Sequence, residues 1–193
     1  LVACPGCIAA SVILSLAPLI KKYADFIDLK RIVVDSKIGS SAAGVVASIA
    51  THHPERASVV RPYQPTGHRH TAEIEQELQE LCDKPLEVYL TPHAVDIVRG
   101  ILSTSYIFLS NEVEIGDSVL WKLYRDFYQN EPFIRLIKDK KGLYRYPNPK
   151  NVVGTNYCDI GFEMESRGLQ RIVIFSAIDN LVKGAAGAAV QNM

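Results

Sequence analysis

Excess charge is the first thing this sequence lacks. Lys plus Arg number 21 and Asp plus Glu 21, so the formal net charge is +0 and the pI about 7.1. Non-specific nucleic-acid binding needs a surplus of cations to displace counterions from phosphates, so no nucleic-acid partner is expected. Cysteine is sparse: four residues, at 4, 7, 82 and 158, do not make the dense framework of a small secreted domain. They point to a reducing, cytoplasmic setting. A membrane-spanning run is missing as well. The most apolar stretch, Cys7 to Ile20, has 14 residues and contains Pro18, against the roughly 20 apolar residues that a span requires. No basic region precedes it, which argues against a signal peptide. Repeats and low-complexity tracts are absent, and no Gly-x-Gly-x-x-Gly dinucleotide fingerprint occurs. The chain opens on Leu1 instead of Met, which reads as a fragment or a processed form.

What is present is globular composition, with 48% hydrophobic and 22% charged residues. At this length folding buries roughly 70% of the unfolded surface, enough for a core without metal or disulfide. Cys7 to Tyr23 is apolar almost all round and reads as a buried helix, with Pro18 expected to kink it or to start a second turn. Helical spacing returns at Thr71 to Cys82 and Asp117 to Tyr128, and a small-residue helix is expected from about Leu181. Strands are expected at Arg31 to Ser36, Ala57 to Arg61, Leu86 to Leu90, Ile97 to Ser110, Phe133 to Lys138, Asn156 to Glu163 and Arg171 to Ile178. These elements predict an α+β sheet with helices packed on one face. The connection around Thr51 to Arg56 has the look of a loop that covers a site.

Four places carry chemistry. Cys4-Pro5-Gly6-Cys7 precedes the buried helix, where unsatisfied N–H groups and the helix dipole favour a thiolate at Cys7. The plain alternative is a buried structural thiol. As a zinc half-site the pair is weak, because Cys82 and Cys158 are solitary. Gly67-His68-Arg69-His70-Thr71-Ala72-Glu73 opens an amphipathic helix, with His70 or Thr71 as its cap and Glu73 and Glu75 in its first turn. It offers a base for Cys7, if the fold brings the two together. His52-His53, ahead of Pro54, reads as solvated surface. Gly39 to Gly44 is a small-residue loop able to approach a ligand, though not a Walker loop. Asp179 to Gly187 lies at a strand-to-helix junction, where phosphates and cofactors often bind. Asp179 or Asn180 would be its N-cap, and Gly184 and Gly187 could simply permit close packing.

Taken in order, Pro5-Gly6-Cys7, Asp35-Ser36-Lys37, Gly39 to Gly44, Gly67 to Glu73, Gly154-Thr155-Asn156 and Asp179 to Asn192 resemble the catalytic domain of N-acetyl-gamma-glutamyl-phosphate reductases and their carrier-linked relatives, within the aspartate-semialdehyde dehydrogenase-like group. The resemblance implies a mixed, largely antiparallel sheet with helices on one face. It implies Cys7 as the acylated nucleophile and His68 as the acid/base. Arg69, His70, Glu73 and Ser41 would line the substrate site, and Asn180, Gly39 and Gly184 would meet an NADPH cofactor. It also implies a dinucleotide-binding domain ahead of this chain, so that residues 1–193 form the catalytic and dimerisation domain of a homo-oligomeric enzyme. Ile38 and Ala42 depart from the common pattern, which has Ser and Gly there. Arg61-Pro62-Tyr63-Gln64-Pro65-Thr66 resembles the lysine-biosynthesis branch, whose acyl phosphate (aminoadipate 6-phosphate or glutamate 5-phosphate) rides on a small acidic carrier protein of the LysW type. Arg61, Arg69, Arg99 and the run from Lys138 to Lys141 are candidate surface for such a carrier.

The implied reaction is attack of Cys7 on the acyl phosphate, loss of phosphate, reduction of the resulting thioester by NADPH, and release of a semialdehyde. The rivals are an arginine-pathway reductase acting on free acetylated substrate, a cysteine hydrolase, and a non-catalytic interaction domain with the inherited fold.

Overall fold

A computed structural model describes residues 2–110, 115–138, 141–165 and 170–193. The chain runs α1 (Cys7–Tyr23), β1 (Ile32–Ile38), α2 (His53–Arg56), β2 (Val60–Pro62), α3 (Arg69–Cys82), β3 (Val88–Val95), β4 (Ile101–Phe108), α4 (Asp117–Phe127), β5 (Ile134–Leu136), β6 (Cys158–Glu165), β7 (Arg171–Ile178) and α5 (Gly187–Asn192). Seven strands form one sheet in the order β2-β3-β1-β4-β7-β6-β5. β1 runs parallel to β3 and β5 to β6, while the other neighbouring pairs are antiparallel. The expected mixed, largely antiparallel sheet is what forms.

Period-two burial sets the two faces. In β1, Ile32, Val34, Ser36 and Ile38 are buried, and Val33, Asp35 and Lys37 between them are half-buried on the other side. α1 packs on β4, β7 and β6, with α3 beside it over β3 and α4 against its other flank. Small polar side chains mark where α1 crosses the strands. Ser36, Ser103 and Ser176 are opposite one another in register on β1, β4 and β7. Ser11 of α1 reaches Ser176 Oγ at 2.7 Å and Ser103 Oγ at 3.2 Å, and Ser103 meets Ser36 at 2.9 Å. All four are fully buried, and each hydroxyl finds a partner in the row.

Pro18 does not restart the helix; α1 continues through it. Its missing N–H leaves the Leu14 carbonyl without the usual partner, and the Tyr128 hydroxyl donates to that oxygen at 2.5 Å. Tyr124 of α4 donates to the next carbonyl, Ser15 O, at 2.6 Å. Together with the 3₁₀ turn after it, Cys7–Phe26 is long and apolar enough to cross a membrane by composition, longer than the 14-residue run read from the sequence. Here it is a core helix: most of it is buried inside the protein.

Several boundaries differ from expectation. β3 continues past Leu90 through Pro92 to Val95, because the Pro92 carbonyl, and with it the missing donor, faces the short edge strand β2, where Tyr63 N supplies the bond at 3.0 Å. β4 begins only at Ile101, after a turn in which Gly100 takes a φ of 115°. β2 is shorter than Ala57 to Arg61 and shifted, since Ser58 sits in the left-handed region at φ 57° with its N–H bound to Asp96. β5 keeps only the middle of Phe133 to Lys138. β6 starts two residues later than expected. The stretch expected to be a plain loop at Thr51 to Arg56 carries a 3₁₀ turn (Ile49–Thr51) and then α2.

Candidate active site

Cys7 is the first residue of α1, half-buried, behind the N-cap Gly6. The expected thiolate-favouring site turns out otherwise. Burial pushes the Cys7 thiol above its ordinary value; the backbone N–H groups of Ile8 and Cys7 and the charge of Arg69 pull it down by less, and Glu73 adds to the rise. Desolvation wins over the helix end, so this sulfur needs a base to become a nucleophile. Its remoter counterpart, Cys158, is fully buried and pushed up to about 12, which makes it inert. All four cysteines are free thiols.

α3 supplies the candidate bases. It begins at Arg69, two residues before the expected Thr71, and its N-cap is His68, whose Nδ1 accepts the His70 N–H at 3.2 Å. A ring nitrogen thus does the work usually left to Ser or Asp. That bond assigns the neutral imidazole with its proton on Nε2. His70 is buried against it, ring centroids 4.8 Å apart, and burial, His68 and Arg69 lower its pKa to about 4. Burial and Arg69 lower that of His68 as well. Both rings are neutral near pH 7. Glu73 is not the first-turn dipole partner expected of it: its Oε1 accepts the Gly6 N–H at 2.8 Å. A Cβ on Gly6 would fall 2.3 Å from His70 Nε2 and 2.8 Å from Glu73 Oε2. Gly6 is therefore where α3 touches the approach to the sulfur.

The end of β7 closes the site from the other side. Asp179 is fully buried; its Oδ1 takes the N–H of Leu181 at 2.8 Å and of Val182 at 3.2 Å, and its Oδ2 takes Gly154 N–H at 2.6 Å and Arg99 at 2.7 Å. Burial alone would raise this carboxyl, and those donors outweigh it and hold it below its usual value. The helix expected from Leu181 opens as a π-turn, Val182–Ala186, before α5. This turn lays Gly184 against the nucleophile: a Cβ there would be 2.6 Å from Cys7 Cβ and 3.2 Å from its Cα. Gly184→Ala is expected to push the start of α1 aside, destabilising the protein by roughly 1–3 kcal/mol and lowering turnover by about 10²-fold. A thermal melt and a turnover assay on the variant check both; an unchanged melting point and rate would mean that the contact is slack.

The residues expected at the cofactor find partners within the chain. Asn180 Oδ1 accepts Gly100 N–H at 2.7 Å, and its Nδ2 donates to Ser41 at 2.9 Å. Ser41, expected near the substrate, is thus tied to Asn180. A Cβ on Gly39 would lie 2.7 Å from Val98 O. At both glycines the side that a Cβ would occupy is taken up by protein, Val98 at Gly39 and Cys7 at Gly184.

Between β1, α1 and α3 lies a cleft of about 410 Å³ onto which Cys7, His68, His70 and Arg69 open. Arg56, Arg61 and Tyr63 line it as well, and among the described residues no carboxylate does. Arg56 was not marked by any motif; it ends the short α2, is buried, and donates to Ile38 O at 3.1 Å. Arg61 donates to Ala50 O at 3.3 Å, and Arg69 is exposed at the rim. Arg99, grouped with them in the sequence, is engaged with Asp179 instead. Lys138 lies over the Trp121 ring at 5.1 Å, away from the cleft, and residues 139 and 140 of that basic run fall outside the described residues.

The fold has solved counterparts. The chain matches aspartate semialdehyde dehydrogenase II from Vibrio cholerae with a TM-score of 0.70 at 18% identity, over 97% of this chain and 59% of that one. The enzyme from Francisella tularensis matches at 0.68 and 15%, over 97% and 62%. The chain belongs to the semialdehyde dehydrogenase dimerisation-domain family, whose model matches residues 7–180. Among curated proteins it is 55% identical over 193 residues, all of this chain and 53% of the other, to a Nitrosopumilus maritimus protein named as a [LysW]-L-2-aminoadipate/[LysW]-L-glutamate phosphate reductase. It is 51% identical over 195 residues, 100% of this chain and 54% of the other, to a Thermomicrobium roseum protein named as a [LysW]-L-2-aminoadipate 6-phosphate reductase. The chain spans about half the length of these relatives.

Proposed function

We propose that these 193 residues are the catalytic and dimerisation part of an acyl-phosphate reductase that makes a semialdehyde through a cysteine thioester. The observation that carries the reading is the cleft itself: a thiol opens into it with two neutral imidazoles and three arginines, which outnumber the one carboxylate nearby, Glu73 behind Gly6. Cys7 sulfur bonds to the acyl carbon, the carbon–oxygen bond to the phosphoryl group breaks, and phosphate leaves with that electron pair. The thiol proton passes to His68 or His70. Sulfur suits the task because it is nucleophilic near neutrality and a good leaving group afterwards. A nicotinamide, NADPH in this reading, supplies the hydride when bound; the longer relatives leave room for a dinucleotide-binding segment outside these residues, and Asn180 would stand at its edge. The work of this chain is to hold the acyl group on Cys7 and to place a proton donor beside its oxygen.

The names of the relatives support a carrier-linked aminoadipate or glutamate phosphate as substrate, with free acetylated glutamyl phosphate of arginine biosynthesis as the alternative. Arg61 and Arg69 at the rim are where an acidic LysW-type carrier would settle. The sheet face opposite α1, with Val33, Tyr106 and Val173 half-buried, is suited to a second copy. A cytoplasmic setting fits four free thiols.

Acetyl phosphate serves as the test. Incubated with the chain, it is expected to leave an acetyl group on the Cys7 peptide in the mass spectrum, while NADPH oxidation by the same chain stays undetectable, since positioning of the hydride donor is lost. An adduct confined to exposed Cys4, or steady NADPH oxidation, would refute the assignment.

A further inference from the structure

Arg56 is a charged group in the cleft whose presence costs stability without a visible return. It is 7% exposed. Its Nη2 donates to Ile38 O at 3.1 Å, and its Nε has no partner. No acid among the described residues forms an ion pair with it. The charged and titratable groups around it are Tyr63, pushed up to about 12 by burial and so neutral, and Arg61, which repels it. A buried cation with no counter-charge is among the most expensive arrangements in a protein. Its neighbours are equally informative. Cys7 lines the same 410 Å³ cavity, and so do Arg61 and Arg69, so the charged side chains that line it among the described residues are cations, with Glu73 held behind Gly6.

We propose that Arg56 binds the phosphoryl group of the substrate in the Cys7 cleft, supplying the missing ion pair only when substrate is present. This rests on the acyl-phosphate reading above and names the residue that recognises the anion. The phosphoryl oxygen is bonded to the carbon that sulfur attacks, so the anion must lie beside Cys7, in the cavity that Arg56 lines. Arg56 lines that cavity, and the one hydrogen bond its guanidinium makes among the described residues is from Nη2, so the planar donor set keeps capacity for phosphate oxygens. Low surrounding dielectric strengthens that pairing relative to the exposed Arg69. As phosphate departs with the electron pair of the broken bond, the same guanidinium neutralises the charge that gathers on it.

The experiment uses inorganic phosphate as the probe and iodoacetamide labelling of the Cys7 peptide as one readout, with the phosphate-induced rise in melting temperature as the other. In the unaltered chain, and in a control with exposed Arg125→Ala on α4, phosphate should slow labelling severalfold and raise the melting temperature. Arg56→Met, with labelling compared to its own phosphate-free rate, should melt no lower than the parent and bind phosphate at least tenfold more weakly. Arg56→Lys keeps the charge without the fork and should show intermediate protection, which also covers the case in which the methionine variant fails to fold. In the longer enzyme, Arg56→Met should raise KM for the acyl phosphate at least tenfold with KM for NADPH unchanged. Equal protection by phosphate in the parent and in Arg56→Met overturns the proposal, as does protection by acetate but not by phosphate, which would make the site a carboxylate pocket. Should Cys7 never be acylated by an acyl phosphate, the reductase reading fails, yet the melting shift still reports whether Arg56 holds phosphate.

Discussion

Cys7→Ser is expected to lower turnover of the whole enzyme by on the order of 10⁴-fold or more, and to abolish the acyl adduct. The size of the loss follows from the chemistry. A serine hydroxyl is far harder to deprotonate than a thiol, and an oxygen ester in the same place would be a poorer leaving group than the thioester. The fold should not notice. Serine is no larger than cysteine at the start of α1, and the contact most sensitive to bulk, with Gly184, is made by Cβ and Cα, which both residues share. An unchanged melting curve with lost turnover is therefore the expected pair of results. A serine variant retaining a tenth of the activity would remove Cys7 from the centre of the mechanism.

His68 should rank next. His68→Ala is expected to cost about 10² to 10⁴ in turnover, but alanine also strips the N-cap from α3, worth about 1 kcal/mol of stability. Asparagine separates the two effects, because it caps well and carries no titratable ring. His68→Asn should melt like the parent and turn over like the alanine variant. The cap bond has a further meaning for the chemistry. While Nδ1 accepts the His70 N–H, the neutral ring presents a donor at Nε2; to take a proton from Cys7 it must give up the cap or exchange tautomers. Full turnover in His68→Asn would assign the proton transfer to His70, whose buried Nδ1 has no partner.

The long apolar helix at Cys7–Tyr23 and the strand at Arg171–Ile178 were legible in sequence because each is a nearly continuous apolar run. Cys7, His68 and His70 could be singled out as residue types, and the fold brings all three onto one cleft. What the spacing did not show has a common cause: each missed feature depends on partners far along the chain. Nothing local distinguishes Arg56 from a surface arginine, since its burial is made by Ile38 and the cleft around it. The serines at 11, 36, 103 and 176 look like ordinary polar residues until register aligns them. Gly184 could be read as a packing glycine, yet the π-turn that aims it at Cys7 leaves no signature in residue type. The raised thiol of Cys7 is a similar case, because a helix end can be seen in sequence and the depth of burial around it cannot.

Pro18 has a consequence in time. The two carbonyls beside it are satisfied by tyrosines more than a hundred positions downstream, Ser15 by Tyr124 and Leu14 by Tyr128. The strands under α1 also come later, and the last of them to be made is β7. A ribosome therefore delivers the nucleophile-bearing segment first and the groups that complete it last. In the interval a greasy stretch of some twenty residues waits without its receptor surface, the situation in which nascent chains recruit holding chaperones or stick to one another. Such long-range closure makes for slow acquisition of the native state, so the reactive thiol becomes buried and positioned only when synthesis of the domain is nearly over.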